Sequence, residues 1–456
     1  MSAKSVVKKF IPMGLFYRVE PTGHLLESMI VTALNGFPGK GMKVIGVTGT
    51  NGKTTTAFMI HRMLQNAGYN TALMTTVAWG IGDDIEYQQE HYTNVPIRQL
   101  MTRLKKLKAA KIDYLVMEIT SQALAQNRAW GVPFTMAVMT NVTHEHLDYH
   151  KTFERYRDAK RKLFKLANKN SDGMQVGIIN IEDPSAQLFA SDITNPIMYG
   201  NETGDLQATN VKLTSEGSTY TAKAGDDEYT IVCNLPGSFN VSNSLAAVAV
   251  GGAIGLTREE VEKGIAALKG VGGRMTTIDE GQNYSVIVDY AHTPDSFEKV
   301  FKDLRPVIKG KLICMFGSAG RRDESKRAVQ GELAGKYCDE VVITEEDDRD
   351  ADGQEIMEQI ASGAEKSGKI RKQNLFLIHD RTEAITFALK RARTAGDTVI
   401  LLGKGPERTI LRNGPKAAEL RHLKQDDNNP DRVITDDWDE IATAHAAVKL
   451  AYTARK

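Results

Sequence analysis

Apolar residues along this 456-residue chain gather in short runs, separated by longer stretches in which apolar positions return every three or four residues. The short runs fall at 44–47, 114–117, 137–141 and 176–181 in the first half, and at 285–290, 312–316, 340–344, 375–379 and 398–402 in the second. Runs of that length, bounded by turn residues, read as strands, and the periodic stretches between them as helices. Such alternation predicts mostly parallel sheets covered by helices, an α/β fold. Residues 205–233 read as a β-rich excursion within the first domain, and "LPGSFNVSNSLAAVAVGGAIGL" (235–256) as a turn followed by a small-residue helix. The Gly-rich "LKGVGGRM" (268–275) reads as a linker between two α/β domains. The chain therefore divides into a short front segment (1–40), a central domain (41–270) and a C-terminal domain (271–456). In the front segment "FYRVEPTGHLLESMIVTALNGFPGK" predicts a helix packed on the central domain. In the tail, residues 419–456 read as a polar linker and a final amphipathic helix.

Bulk composition narrows the partners. Lys and Arg number 58 against 57 Asp and Glu, so no global field recruits nucleic acid or a membrane surface, and any anion site must be local. Cys233, Cys314 and Cys338 are widely spaced and odd in number, which argues against a disulfide framework and fits a reducing cytoplasm. Lys8 and Lys9 precede a short apolar stretch, but Pro12 and Gly14 interrupt it, so a secretory signal is not expected. No run approaches the length of a membrane span.

The chemistry begins at "VTGTNGKTTT" (47–56), between the first strand and a helix. Gly49 and Gly52 allow a tight turn that presents amide donors to a polyphosphate at a helix N-terminus, Lys53 adds a mobile positive charge, and Thr54 a hydroxyl for Mg²⁺. Together Gly49, Thr50, Asn51, Gly52, Lys53, Thr54 and Thr55 form an ATP cradle. The strict pattern places glycine at position 47, where Val47 stands with Gly46 one place earlier, so the loop is a variant of its class.

Ligands of open α/β sheets sit beyond the carboxyl ends of strands. "VMEITSQALAQNR" (116–128) brings Glu118 off the second predicted strand, where a carboxylate can complete the Mg²⁺ shell begun by Thr54. "TNVTHEHLDYHKTFERYRDAKRKLF" (140–164) follows the next strand and crowds His144, His146, His150, Asp148 and Lys160 together. A histidine there, with an acidic residue past the neighbouring strand and a phosphate loop beside both, is a candidate functional group.

These motifs carry a family resemblance. The chain resembles the Mur ligases, and among them the type that adds a diamino acid to UDP-N-acetylmuramoyl-L-alanyl-D-glutamate. The matching residues are G-T-N-G-K-T-T (49–55), M-E-I-T-S-Q (117–122), T-N (140–141), H-L-D-Y-H (146–150), A-K (159–160), F-N-V-S-N (239–243), G-R-M (273–275), D-Y-A-H-T-P-D-S (289–296), R-D-E-S-K-R (322–327) and G-K-G-P-E (403–407). The resemblance implies a P-loop central domain and a Rossmann-like C-terminal domain that closes on it. It also implies a cytoplasmic enzyme of peptidoglycan synthesis, acting as a monomer on small molecules with ATP and Mg²⁺. ATP phosphorylates a carboxylate, and an amine then displaces the phosphate to give an amide.

Residue by residue, the resemblance implies catalytic roles for Lys53, Glu118, His146 and Lys160, and metal contacts for Thr54, Glu118, His146 and Lys160. Lys160 would be carbamylated to support a second metal, which requires a neutral amine and hence a depressed pKa. Asn243, Arg274, Asp289 and His292 would contact or orient ATP, and Thr93, Asn94, Thr120, Gln126 and Arg128 the acceptor. Asn94, Thr120 and Gln122 differ from the Thr, Ser and His usual at those positions. The added amino acid would meet Arg322, Gly403 and Glu407, together with Glu346, Asp347, Asp348 and Arg349 of "TEEDDRDADG" (344–353), where diaminopimelate-adding relatives carry D-N-P-R. Two arginines favour a distal carboxylate and the extra acids an amine, so meso-diaminopimelate is expected first and lysine next. The short front segment departs from the family's usual uridine-binding front domain. A folylpolyglutamate synthase-like ligase and a non-catalytic ATP-binding subunit are the alternatives.

Overall fold

The computed structural model describes residues 13–87, 93–143, 147–214, 216–349, 351–412 and 434–453. The chain forms two compact units, one built mainly from residues up to 268 and the other mainly from 269 onward.

The first unit holds an eleven-stranded sheet in the order β11-β10-β9-β8-β7-β6-β1-β5-β2-β3-β4. Its strands are β1 (Lys43–Thr48), β2 (Thr71–Met74), β3 (Ala78–Ile81), β4 (Asp84–Tyr87), β5 (Tyr114–Glu118), β6 (Phe134–Met139), β7 (Val176–Asn180), β8 (Asn195–Gly200), β9 (Leu206–Leu213), β10 (Ser218–Ala224) and β11 (Asp227–Cys233). β1 lies parallel between β5 and β6, with Val47 paired to Glu118 and Thr48 to Met139. All five residues of β5 and all six of β6 are buried, as continuous apolar strands covered on both faces should be. Three elements therefore release their following loops at one edge: the phosphate loop after β1, Glu118 at the end of β5, and Thr140 and Asn141 after β6. The β-rich excursion is β9 to β11, which extends the same sheet. The front helix, Met13–Leu34, belongs to this unit. It buries Val31 and Thr32, and Asn127 donates to the carbonyl of Pro21 within it at 3.3 Å.

The second unit is a six-stranded sheet in the order β12-β13-β17-β14-β15-β16, followed by a two-stranded ladder β18-β19. The strands are β12 (Thr276–Thr277), β13 (Ser285–Asp289), β14 (Leu312–Phe316), β15 (Glu340–Ile343), β16 (Leu375–Leu377), β17 (Thr398–Leu402), β18 (Thr409–Arg412) and β19 (Ile434–Asp437). β13, β17, β14, β15 and β16 run parallel. Asp289, the 344–349 loop and the 403–407 loop accordingly leave the sheet at one edge. The tail helix is Glu440–Thr453, while the polar linker read before it lies outside the described residues over 413–433.

Candidate active site

The phosphate loop is fixed from both flanks. Gly52, at φ 83°, caps helix Lys53–Asn66 in a conformation that favours glycine. A side-chain carbon there would stand 2.2 Å from Asn243 Oδ1, and one at Gly49 1.9 Å from Thr140 Oγ1, so both glycines are required by close approach. On the β6 side, Asn141 accepts from the Asn51 amide at 2.9 Å and donates back to its carbonyl at 3.1 Å, and Thr140 Oγ1 donates to the same carbonyl at 2.6 Å. Thr50 Oγ1 pairs with the Tyr156 hydroxyl at 3.0 Å. Asn243 takes a hydrogen bond from Thr56 and gives one to Asn240.

Inside this frame Thr54 Oγ1 donates to Glu118 Oε2 at 2.9 Å, and the Thr76 amide donates to the same oxygen at 3.1 Å. Lys53 Nζ lies 4.0 Å from Glu118 Oε1 and donates to the Thr50 carbonyl. A hydroxyl and a carboxylate converging beside a phosphate cradle are the hard oxygen donors that Mg²⁺ takes, so these residues fit the cation. Lys160 is buried, donates to the Gly49 carbonyl, and stands 4.5 Å over the Tyr156 ring. His144 and His146 lie outside the described residues, and so does the Asp148 side chain. His150 is buried and pairs with Ser121 Oγ at 2.9 Å.

The expected acceptor positions form a chain next to Glu118. Thr93 accepts from Thr76 at 2.8 Å. Asn94 donates to the Glu118 carbonyl at 2.8 Å and accepts from both the amide and the hydroxyl of Thr120 at 2.9 Å. Arg128 holds the Asn94 carbonyl at 2.9 Å, and Gln126 closes helix Ser121–Ala125. The Asn94 side chain thus acts here as an internal brace that ties 120 to the end of β5.

In the second unit Asp289 is buried and accepts from the amides of Met275 and Ala291, each at 2.8 Å. Burial pushes its carboxyl up, against the pull of Arg274. Arg274 stacks 4.6 Å over Tyr290, whose hydroxyl donates to Glu407 at 3.0 Å. His292 Nδ1 meets the Tyr290 carbonyl at 2.8 Å, and its own carbonyl accepts from Lys326 and Gln330. Lys404 is wholly buried and donates to Asp347 at 2.9 Å and to Glu407 at 2.5 Å. Burial would depress that ammonium, but Glu407 and Asp347 hold it above its ordinary value.

The four acids and bases expected around the amino acid do not share one fate. Asp347 is committed to Lys404 and to the Leu411 amide at 3.0 Å. Asp348 pairs with His379 Nε2 at 2.9 Å and raises that imidazole's pKa. Glu346 is 7% exposed, and among the described residues its Oε2 has no hydrogen-bond partner. That carboxylate lies against Gly403, where a side-chain carbon would come within 2.9 Å of Oε2. Arg349 adopts a left-handed φ of 56°, and its buried Nε is also without a partner among the described residues; Arg322 is exposed. Glu345, Asp348 and His379 approach closely enough to suggest a cation, but Glu345 already receives Arg412 at 2.7 Å and the Arg381 amide, so a guanidinium fills that place.

Asn141 and Lys404 stand in the matched motifs T-N and G-K-G-P-E but were given no role there, and Tyr156 and Thr76 take part in this geometry without having been singled out from sequence, because they act through Thr50 and Glu118, 106 and 42 residues away.

Two family descriptions match this chain, "Mur ligase middle domain" over residues 47–251 and "Mur ligase, glutamate ligase domain" over 273–405. A UDP-N-acetylmuramyl-tripeptide synthetase of Roseiflexus sp. (strain RS-1) is 38% identical over 403 residues, covering 86% of this chain and 79% of the relative. The chain belongs to the Mur ligase family. A UDP-N-acetylmuramoyl-L-alanyl-D-glutamate--2,6-diaminopimelate ligase of Syntrophomonas wolfei is likewise 38% identical, over 82% of this chain and 75% of its own. A solved diaminopimelate ligase of the same description superposes with a TM-score of 0.65 at 26% identity, covering 95% of this chain and 83% of the other. As a Mur ligase the protein is an ATP-dependent ligase of cell-wall precursor synthesis acting on small molecules, and Mg²⁺ suits the Thr54 and Glu118 donors. Among the described residues no helix is long and apolar enough to cross a membrane.

Proposed function

We propose that this Mur ligase joins a diamino acid, meso-diaminopimelate ahead of lysine, to UDP-N-acetylmuramoyl-L-alanyl-D-glutamate. The observation that carries the chemistry is the convergence of Lys53, Thr54 and Glu118 on one phosphate loop. An oxygen of the acceptor carboxylate attacks the γ-phosphorus of ATP, ADP leaves, and an acyl phosphate forms. The incoming amine attacks the acyl carbon, loses a proton, and expels phosphate with the former carboxylate oxygen. Two anions must meet in the first step, so positive charge placed in advance at Lys53 lowers its barrier. Thr54 and Glu118 would hold Mg²⁺, which would supply further neutralisation of the phosphates. Lys160, buried against the Gly49 carbonyl, is the candidate for carbamylation, with His146 as its expected companion at a second metal.

For the amino acid, the unpartnered Glu346 oxygen suits an ammonium and the unpartnered Arg349 Nε a carboxylate. meso-Diaminopimelate offers both groups at its distal end, whereas lysine offers the amine alone. Asp347 and Asp348 are occupied within the domain and would act by shaping the loop. We further propose that the enzyme works as a cytoplasmic monomer. Measuring ADP release and product mass with the UDP-dipeptide and each of meso-diaminopimelate, lysine and glutamate tests this reading. Turnover led by diaminopimelate is expected, and a strong preference for lysine or glutamate contradicts it.

A further inference from the structure

The front helix Met13–Leu34 is turned inside out over its last turns. Ser28 and Thr32 face inward at 1% exposure, and the Thr32 hydroxyl has no hydrogen-bond partner among the described residues. Leu26, Met29, Ile30 and Leu34 face outward instead, between 41% and 81% exposed. At 100° per residue these four fall within an arc of about 140°. Between residues 22 and 34 the same arc holds only Thr22, Gly23 and Ala33 besides, so it carries no charge. Phe37, also exposed, follows at the helix end. Single exposed apolar side chains are ordinary, but a contiguous apolar stripe marks a face that meets another surface.

The charge beside the stripe identifies that surface. Helix Ile97–Ala109 packs beside the front helix, and Val31 shares one core cluster with Ile97, Leu100, Met101 and Leu104, so the outer faces of both helices open on the same side of the sheet. The turn after the front helix lies here too, since a side-chain carbon at Gly39 would stand 3.7 Å from Leu104. The outer face of helix Ile97–Ala109 carries Arg98, Lys105, Lys106 and Lys108, with Lys111 just past its end, and no acidic residue lies between 97 and 111. Among the described residues none of these cations has a carboxylate partner; Lys106 rests 5.3 Å over the Trp79 ring. A bilayer presents the two matching chemistries together, anionic headgroups over hydrocarbon. A second copy of the chain does not, because a twofold pairing through the stripe would bring the unpaired cations of both copies towards one another.

We propose that the front helix and helix Ile97–Ala109 form a docking face for an anionic lipid surface. Leu26, Ile30 and Leu34 enter the headgroup boundary, while Lys105, Lys106, Lys108 and Lys111 meet the lipid phosphates. The face is a local one on a chain of net charge +1, and its contact is peripheral and reversible. It uses none of the residues placed at the phosphate loop and does not depend on which amino acid is joined.

The test is flotation of the full chain with vesicles of phosphatidylcholine alone and of phosphatidylcholine containing about one third phosphatidylglycerol. Saturable binding to the anionic vesicles is expected, at least about tenfold tighter than to the neutral ones and lost at high salt. Each Lys→Gln change among residues 105, 106, 108 and 111 should weaken that binding by about fivefold. Leu26→Ser/Ile30→Ser/Leu34→Ser should weaken it further without lowering the melting temperature, and tryptophan emission of Ile30→Trp should shift to the blue on adding anionic vesicles. No binding to anionic vesicles at low salt, equal binding to neutral ones, or unchanged binding when all four lysines are replaced would overturn the proposal. So would a dimer in sedimentation velocity that the triple serine variant dissolves, which would give the stripe to a second copy.

Discussion

Thr54 donates its hydroxyl to Glu118 Oε2 at 2.9 Å, linking the first turn after β1 to the carboxyl end of β5. The bond joins two residues 64 apart in sequence and brings to one point a hydroxyl and a carboxylate of the kind Mg²⁺ takes. Glu118→Gln retains an acceptor for Thr54 and for the Thr76 amide but removes the charge. Turnover should fall on the order of a hundredfold, the scale of losing one preorganised electrostatic contact. The Mg²⁺ concentration giving half-maximal rate should rise. A variant with unchanged Mg²⁺ dependence would remove Glu118 from the metal.

Lys160→Arg separates positive charge from carbamylation. Arginine can still donate to the Gly49 carbonyl, yet it cannot form a stable carbamate at neutral pH because it remains protonated. Ligase activity should be lost while the melting temperature falls by only a few degrees, and wild-type activity should rise with added bicarbonate. Full activity in the arginine variant would exclude the carbamate.

His61 is buried, meets the Gly82 carbonyl at 3.1 Å, and has its pKa lowered to about 4, chiefly by burial. A histidine unfolded at about 6.5 and folded at about 4 binds more protons when unfolded between those values. Stability is therefore present above pH 6.5 and is lost as pH falls towards 4, by roughly 3 kcal/mol. Urea midpoints measured from pH 7 to pH 4.5 should show a smaller acid loss in His61→Asn than in wild type.

Lys404 sits fully buried between Asp347 and Glu407. Removing one partner from a buried charged group leaves uncompensated charge, at a cost of about 3–5 kcal/mol. Lys404→Met should therefore unfold at clearly lower urea, whereas Arg322→Met, on an exposed side chain, should keep its stability and raise KM for the amino acid.

Much of this architecture was legible because buried parallel strands write continuous apolar runs. The runs at 114–117 and 398–402 became β5 and β17 almost residue for residue. β2, β3 and β4 escaped notice because each spans only four residues, too short for an apolar run to be told from a stretch of helix, and in β4 Asp84 and Glu86 also interrupt it. In the site, the phosphate loop was readable because its spacing is local. The fates of Asp347 and Asp348 were not, because Lys404 and His379 reach them from 57 and 31 residues away. A motif shows which charges are present, whereas only the fold decides which are already neutralised.

The most direct test follows oxygen. With the acceptor's reacting carboxylate labelled with ¹⁸O, and with ATP, Mg²⁺ and meso-diaminopimelate present, the released phosphate is examined by mass spectrometry. An acyl-phosphate route predicts one ¹⁸O in each phosphate formed, in step with amide product; unlabelled phosphate, or phosphate released without amide, would contradict it.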